Sequence, residues 1–76
     1  MRVPSITKLR AMTDQRNSAH VPQAQIADEA DIPAMTLYDA ICGVTRNPNP
    51  ELVSAACNAG WTILDRRERD AEELKR

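Results

Sequence analysis

The run from Gln23 to Cys42, QAQIADEADIPAMTLYDAIC, constrains the fold more than any other part of this 76-residue chain. Its apolar residues fall where two short amphipathic helices, joined by a tight turn, need them. Ile26, Ala27 and Ala30 line one face of the first helix, Ile32 plugs the turn, and Leu37, Ala40 and Ile41 line the second. Ala27 is the most telling position, because a larger side chain would push apart two helices that cross closely. The pattern predicts helices from Pro22 to Ala30 and from Pro33 to Cys42. Each opens on a proline, whose missing N–H costs nothing in a first turn. Asp31, at the centre of the turn, tolerates the positive φ that such turns demand. This is the layout of a helix-turn-helix, in which the second helix is shaped to lie in a DNA major groove.

Composition points the same way for the rest of the chain. With 76 residues there is room for one domain with a modest core. Two glycines and few alternating β-branched runs predict an all-α protein, a compact bundle of four to five helices. One Trp, one Tyr and no Phe leave too little aromatic surface for a single-strand binder or an RNA-reading sheet. Ser5 caps a first helix from Ile6 to about Arg16, and Asn17 to His20 form a loop. Asn49 caps and Pro50 opens a fourth helix, with Gly60 as its terminator and Trp61 folding back as the largest block of core surface. Residues 1–61 then form the main domain. Residues 62–76 form a charged helix or tail, started by a box-like Thr62 and Asp65 and supported by Asp65–Arg69, Arg66–Asp70 and Arg69–Glu73 pairs. Its thin seam of Ile63, Leu64, Ala71 and Leu74 serves either as a structural dock or as a contact with a second copy.

Cys42 and Cys57 are too few and too far apart for a zinc site, and both read as small apolar fillers in a reduced protein. His20 stands in a loop without a partner. No metal, cofactor or small-molecule ligand is expected. No nucleophile lies beside a base and no glycine-rich phosphate loop is present, so the chain is not expected to be an enzyme. With no membrane-spanning run or signal-peptide core, it is expected in the cytoplasm of a prokaryotic cell or phage-infected host.

Net charge is −1, but it is unevenly spread. Residues 1–20 carry Arg2, Lys8, Arg10 and Arg16 against Asp14 alone, while residues 21–45 carry Asp28, Glu29, Asp31 and Asp39 with no base. From Arg46 onward, six bases meet six acids. Any grip on phosphates must therefore come from flanking arginines and from helix-start amides.

The stretch from Val21 to Trp61 resembles the lambda-repressor-like family of helix-turn-helix regulators, which includes phage Cro proteins and repressors. In that family's twenty-residue pattern the first residue is often Gln, here Gln23. The fifth is Ala, here Ala27, and apolar residues follow at the positions of Ala30, Ile32, Leu37 and Ala40. Gly43 followed by Arg46-Asn47-Pro48 is similar to the family's glycine and basic-Asn-Pro loop. The chain departs from the pattern in three places: Asp31 stands where a glycine is usual, the linker after the first helix is longer, and the third helix has no Lys or Arg. The resemblance implies a transcriptional regulator, a repressor or Cro-like protein that occludes a double-stranded operator as a homodimer.

With the helix from Pro33 to Cys42 in the groove, the face opposite Leu37, Ala40 and Ile41 carries Ala34, Met35, Tyr38 and Asp39. Ala34 and Met35 suit a thymine methyl, Asp39 a cytosine amino group, and Tyr38 a base edge or phosphate. Alternatively, Met35 and Tyr38 close over the domain's own core. Gln23, Thr36, Thr45, Arg46 and Asn47 are the expected phosphate contacts, with Arg2, Lys8 and Arg10 behind them. The competing reading is an acidic helical module that binds another regulator or a polymerase, favoured by the negative stretch across the motif.

Overall fold

A computed structural model describes residues 2–44 and 46–74, which form four α-helices and no strand: α1 (Ile6–Thr13), α2 (Gln23–Ala30), α3 (Ala34–Ile41) and α4 (Pro50–Leu74). Ser5 holds extended backbone and accepts the Lys8 amide on Oγ at 3.1 Å, which starts α1. The helix stops at Thr13, three residues short of the expected Arg16. Asp14 leaves the helical region at ψ 117° and its carboxylate takes the Arg16 amide at 3.0 Å, a local bond that competes with the helical ladder. Two successive turns, Asn17 N–H to Asp14 C=O and His20 N–H to Asn17 C=O, then bring Val21 back to donate to the Met12 carbonyl at 2.9 Å. Val21 is fully buried, so this long linker is pinned at both ends.

Between α2 and α3 the chain reverses within three residues. Asp31 sits in the left-handed region at φ 56°, ψ 46° and donates to the Asp28 carbonyl, while Ile32 donates to Ala27 at 2.9 Å. That pair of bonds satisfies two carbonyls left open at the helix end and folds Ile32 back onto the core. Gly43 ends α3 in the same way at φ 80°, with Val44 donating to Asp39. Asn49 accepts the Glu51 amide at 2.9 Å and starts α4 as expected.

The core gathers Leu9 and Met12 from α1, Val21, Ile26 and Ala27, Leu37 from α3, and Val53, Ala56, Cys57, Ala59 and Ile63 from α4. Its continuity along α4 corrects the expectation for Gly60. The glycine does not terminate a helix: α4 runs straight through it, and Gly60 is buried inside the core face. A β-carbon there would collide with Sδ of Met12, so the missing side chain is the notch into which α1 packs. Trp61 likewise does not fold back after a stop. It lies half-buried on the helix with the Arg2 guanidinium 5.6 Å from its ring centroid.

Thr62 starts no helix, and its hydroxyl donates to the Asn58 carbonyl at 2.8 Å within α4. Asp65 and Arg66 do not form the expected pairs along the helix; they reach across the fold to Arg2 and Glu29. Arg67 donates to the His20 carbonyl at 3.0 Å and to Gln25 at 3.3 Å. Beyond these clasps α4 projects into solvent, with Ala71 exposed and Leu74 88 % exposed, giving overall extents of 46 × 23 × 23 Å. Cys57 is buried as expected, but Cys42 is exposed at the end of α3 and fills no core. Among the described residues, no helix is long and apolar enough to cross a membrane.

The Gly60 notch makes a signed prediction. Alanine in a helix interior gains about 1 kcal/mol over glycine, whereas overfilling a packed core costs about 1–3 kcal/mol. Gly60→Ala is therefore expected to lower stability by about 1 kcal/mol in the native background and to raise it by a similar amount beside Met12→Ala. Urea denaturation of the four proteins checks this, and an effect of the same sign in both backgrounds contradicts it.

Candidate functional site

The outer face of α3 carries two large apolar side chains, Met35 and Tyr38, into solvent. Leu37 and Ala40 are buried against the core, which fixes the rotation of the helix and turns Ala34, Met35, Thr36 and Tyr38 outward. Met35 is 69 % and Tyr38 51 % exposed, so neither closes over the core; Asp39 is half-exposed beside them. The Tyr38 phenol is pushed above its ordinary pKa, first by its hydrogen-bonding neighbour Cys42, with Asp39 adding to it. Its hydroxyl can both donate and accept a hydrogen bond.

Two depressions flank this face. One, an open groove of about 370 Å³, is lined by Gln23, Ala24, Ala34, Met35 and Tyr38, and its surface is mostly apolar. The other, of about 270 Å³ and more polar, is lined by Thr13, Gln15, His20, Pro22, Gln23 and Tyr38. Gln23 and Tyr38 belong to both and form the ridge between them. The structure thus brings Gln23, Ala34, Met35 and Tyr38 into one surface. Ala24 joins them, a residue that reading the sequence overlooked because an exposed alanine on α2 carries no signal of its own.

The cations sort into two groups. Arg2 forms a two-pronged bond with Asp65 at 3.0 and 2.8 Å, Arg16 pairs with Asp14 at 3.2 Å, and Arg66 pairs with Glu29 at 3.0 Å. Among the described residues, Lys8, Arg10, Arg46, Arg67 and Arg69 make no ion pair within 4.0 Å, although Arg67 is held by the His20 carbonyl and Gln25. Arg10 has a particular place. Its Nε donates to the Ile41 carbonyl at 3.0 Å, so the guanidinium rests against the negative end of α3. Nη2 lies 3.7 Å from the position a Gly43 β-carbon would occupy. Arg46 and Asn47 are exposed in the loop that follows, and Thr45 lies outside the described residues. Arg10 thus ranks above Arg2 and Lys8 as a cation of this face. The bond to Ile41 leaves no trace in the local residue pattern, since it spans 31 positions.

Among the described residues, no group of three or more His, Cys, Asp or Glu side chains is arranged to hold a metal ion. Burial pushes the Cys57 thiol above its ordinary pKa, opposed by the Ser5 backbone and by Lys8, and the thiol donates to the Ser5 carbonyl at 3.4 Å. Comparison with family models, with curated proteins and with solved structures gave no match.

The Arg2 clasp lies away from this face and carries its own pH signature. The hydrogen bond from Arg2 holds the Asp65 carboxyl below its usual range. A depressed carboxylate contributes stability that is present above the unfolded-state pKa, about 3.9, and is lost as pH falls through the lower folded value. Trp61 is the only tryptophan and lies under Arg2, so its emission reports the clasp. Acid titration is expected to give a fluorescence step below about pH 3.9 that vanishes in Arg2→Ala. A step unchanged in that variant contradicts the assignment.

Proposed function

We propose that this chain is a sequence-specific double-stranded-DNA-binding regulator, with α2 and α3 acting as a helix-turn-helix and α3 seated in the major groove. The observation that carries this reading is the two-sidedness of α3. Leu37 and Ala40 anchor it, while Ala34, Met35 and Tyr38 are exposed to solvent. The helix is about 12 Å long, the width of a B-DNA major groove. The resemblance of the Gln23–Ala40 pattern and the Arg46-Asn47-Pro48 loop to lambda-repressor-like regulators supports the same reading, as does the placement of Arg10 and Arg46 at one end of α3.

The roles follow from position. Ala34, Met35, Tyr38 and Asp39 face the base edges, and Gln23, Thr36, Arg46 and Asn47, joined by Arg10, hold phosphates. A reader this short spans few base pairs. It works as a homodimer on a two-fold-symmetric operator with half-sites about one helical turn apart, and it represses by occlusion. The exposed carboxylates Asp28 and Asp31 near the turn favour a second reading, a module that docks on a basic surface of another regulator or polymerase.

Selection of bound duplexes from a randomised library, followed by titration at several salt concentrations, separates the two. Arg46→Ala and Arg10→Ala are each expected to weaken binding to all duplexes alike and to shallow the log–log salt slope by about one phosphate's worth. Tyr38→Ala and Asp39→Ala are expected to change sequence preference instead. Failure to enrich any duplex, or salt slopes unmoved by both arginine variants, overturns the DNA reading.

A further inference from the structure

We infer that the apolar notch between the start of α2 and the first turns of α3 is a reader of pyrimidine C5-methyl groups, so that thymine methyls in the major groove supply this protein's main direct discrimination. The inference rests on the DNA reading above and adds the chemistry the site selects.

The argument starts from what the face lacks. α3 carries no Lys or Arg, so it cannot make the two-pronged contact by which arginine reads guanine. Asp39 adds a half-exposed carboxylate, which repels the N7 and O6 acceptors of guanine and accepts from the amino groups of cytosine or adenine. What the face offers instead is a walled apolar surface. Met35 and Ala34 from α3 meet Ala24 from α2 across a depression of about 370 Å³, with Gln23 and Tyr38 on its remaining sides. Of the major-groove base edges, only thymine presents an apolar group.

Charge places the occupant as well. Arg10 and Arg46 lie toward the carboxyl-terminal end of α3 and its following loop, whereas the notch lies at the amino-terminal half. Across a helix about 12 Å long, that separation sets cations at the phosphate rim when the notch is over base edges.

Replacing thymine by deoxyuridine removes the methyl and leaves every hydrogen-bonding group in place. The test takes a duplex selected from the randomised library and replaces each thymine in turn, with binding of the full chain followed by fluorescence anisotropy. At one or two positions per half-site the affinity is expected to fall about fourfold for each methyl removed from apolar contact. In Met35→Ala the same replacement should have little effect, because the side chain that covers the methyl is gone. Ala24→Gln, which fills the notch from the other wall, should also abolish the methyl effect. Circular dichroism of both variants checks that the exposed substitutions leave the fold intact.

A selected duplex that binds equally well with every thymine replaced overturns the inference while leaving the DNA reading standing. A methyl effect of undiminished size in both variants overturns it too, by placing the methyl elsewhere. Absence of any selected duplex, with the notch instead protected by a protein partner, removes both.

Discussion

The reversal at Asp31 is the constraint on which the rest of the structure depends. Three residues separate α2 from α3, and both helices must present their apolar stripes to the same core. That is possible only with a left-handed residue at position 31 and with Ile32 folded back to donate to Ala27. Aspartate pays a steric penalty there that glycine would not. The two backbone bonds and the packing of Ile32 offset it. Because Leu37 is then fully buried, the rotation of α3 is fixed, and with it the set of side chains that reach solvent.

The long α4 serves as the spine against which this pair is held. Its buried face runs from Val53 to Ile63 without interruption, and the bare backbone at Gly60 lets α1 approach closely through Met12. Further along, Arg66 and Arg67 tie α4 to Glu29, Gln25 and the carbonyl of His20, while Arg2 ties the amino-terminal segment to Asp65 and Trp61. These surface contacts are each modest in strength. Their consequence is one of selection: they commit those arginines to the fold and leave Arg10 and Arg46 as the cations near α3.

How much of this was legible in the sequence depended on the range of the interaction. Ser5, Asn49, Gly43 and the prolines before α2 and α3 act within a turn of chain, and their positions were read correctly to within a residue. The stripe of Ile26, Ala27, Leu37 and Ala40 was equally clear, because helical periodicity is a local property. Gly60 was misread since glycine marks both helix ends and close packing, and only the partner, Met12, tells which. A signal was present: the apolar spacing of Val53, Ala56, Cys57, Gly60 and Ile63 keeps helical phase across the glycine. The Arg10 bond to Ile41 and the cross-fold pairs of Asp65 and Arg66 left no such trace, being products of tertiary placement. Of the candidate face, α3's exposed residues were foreseen, while the wall contributed by Ala24 was not.

The central claim is that α3 presents a working surface, with the start of α2 as its second wall. The most direct measurement is a residue-resolved NMR titration of the full chain with a short mixed-sequence duplex at low ionic strength. The account predicts that the amide signals of Gln23, Ala24, Ala34, Met35, Tyr38 and Asp39 move together, while those of the projecting residues 68–74 stay still. Signals that do not move at all, or that move only along the projecting end of α4, would contradict it.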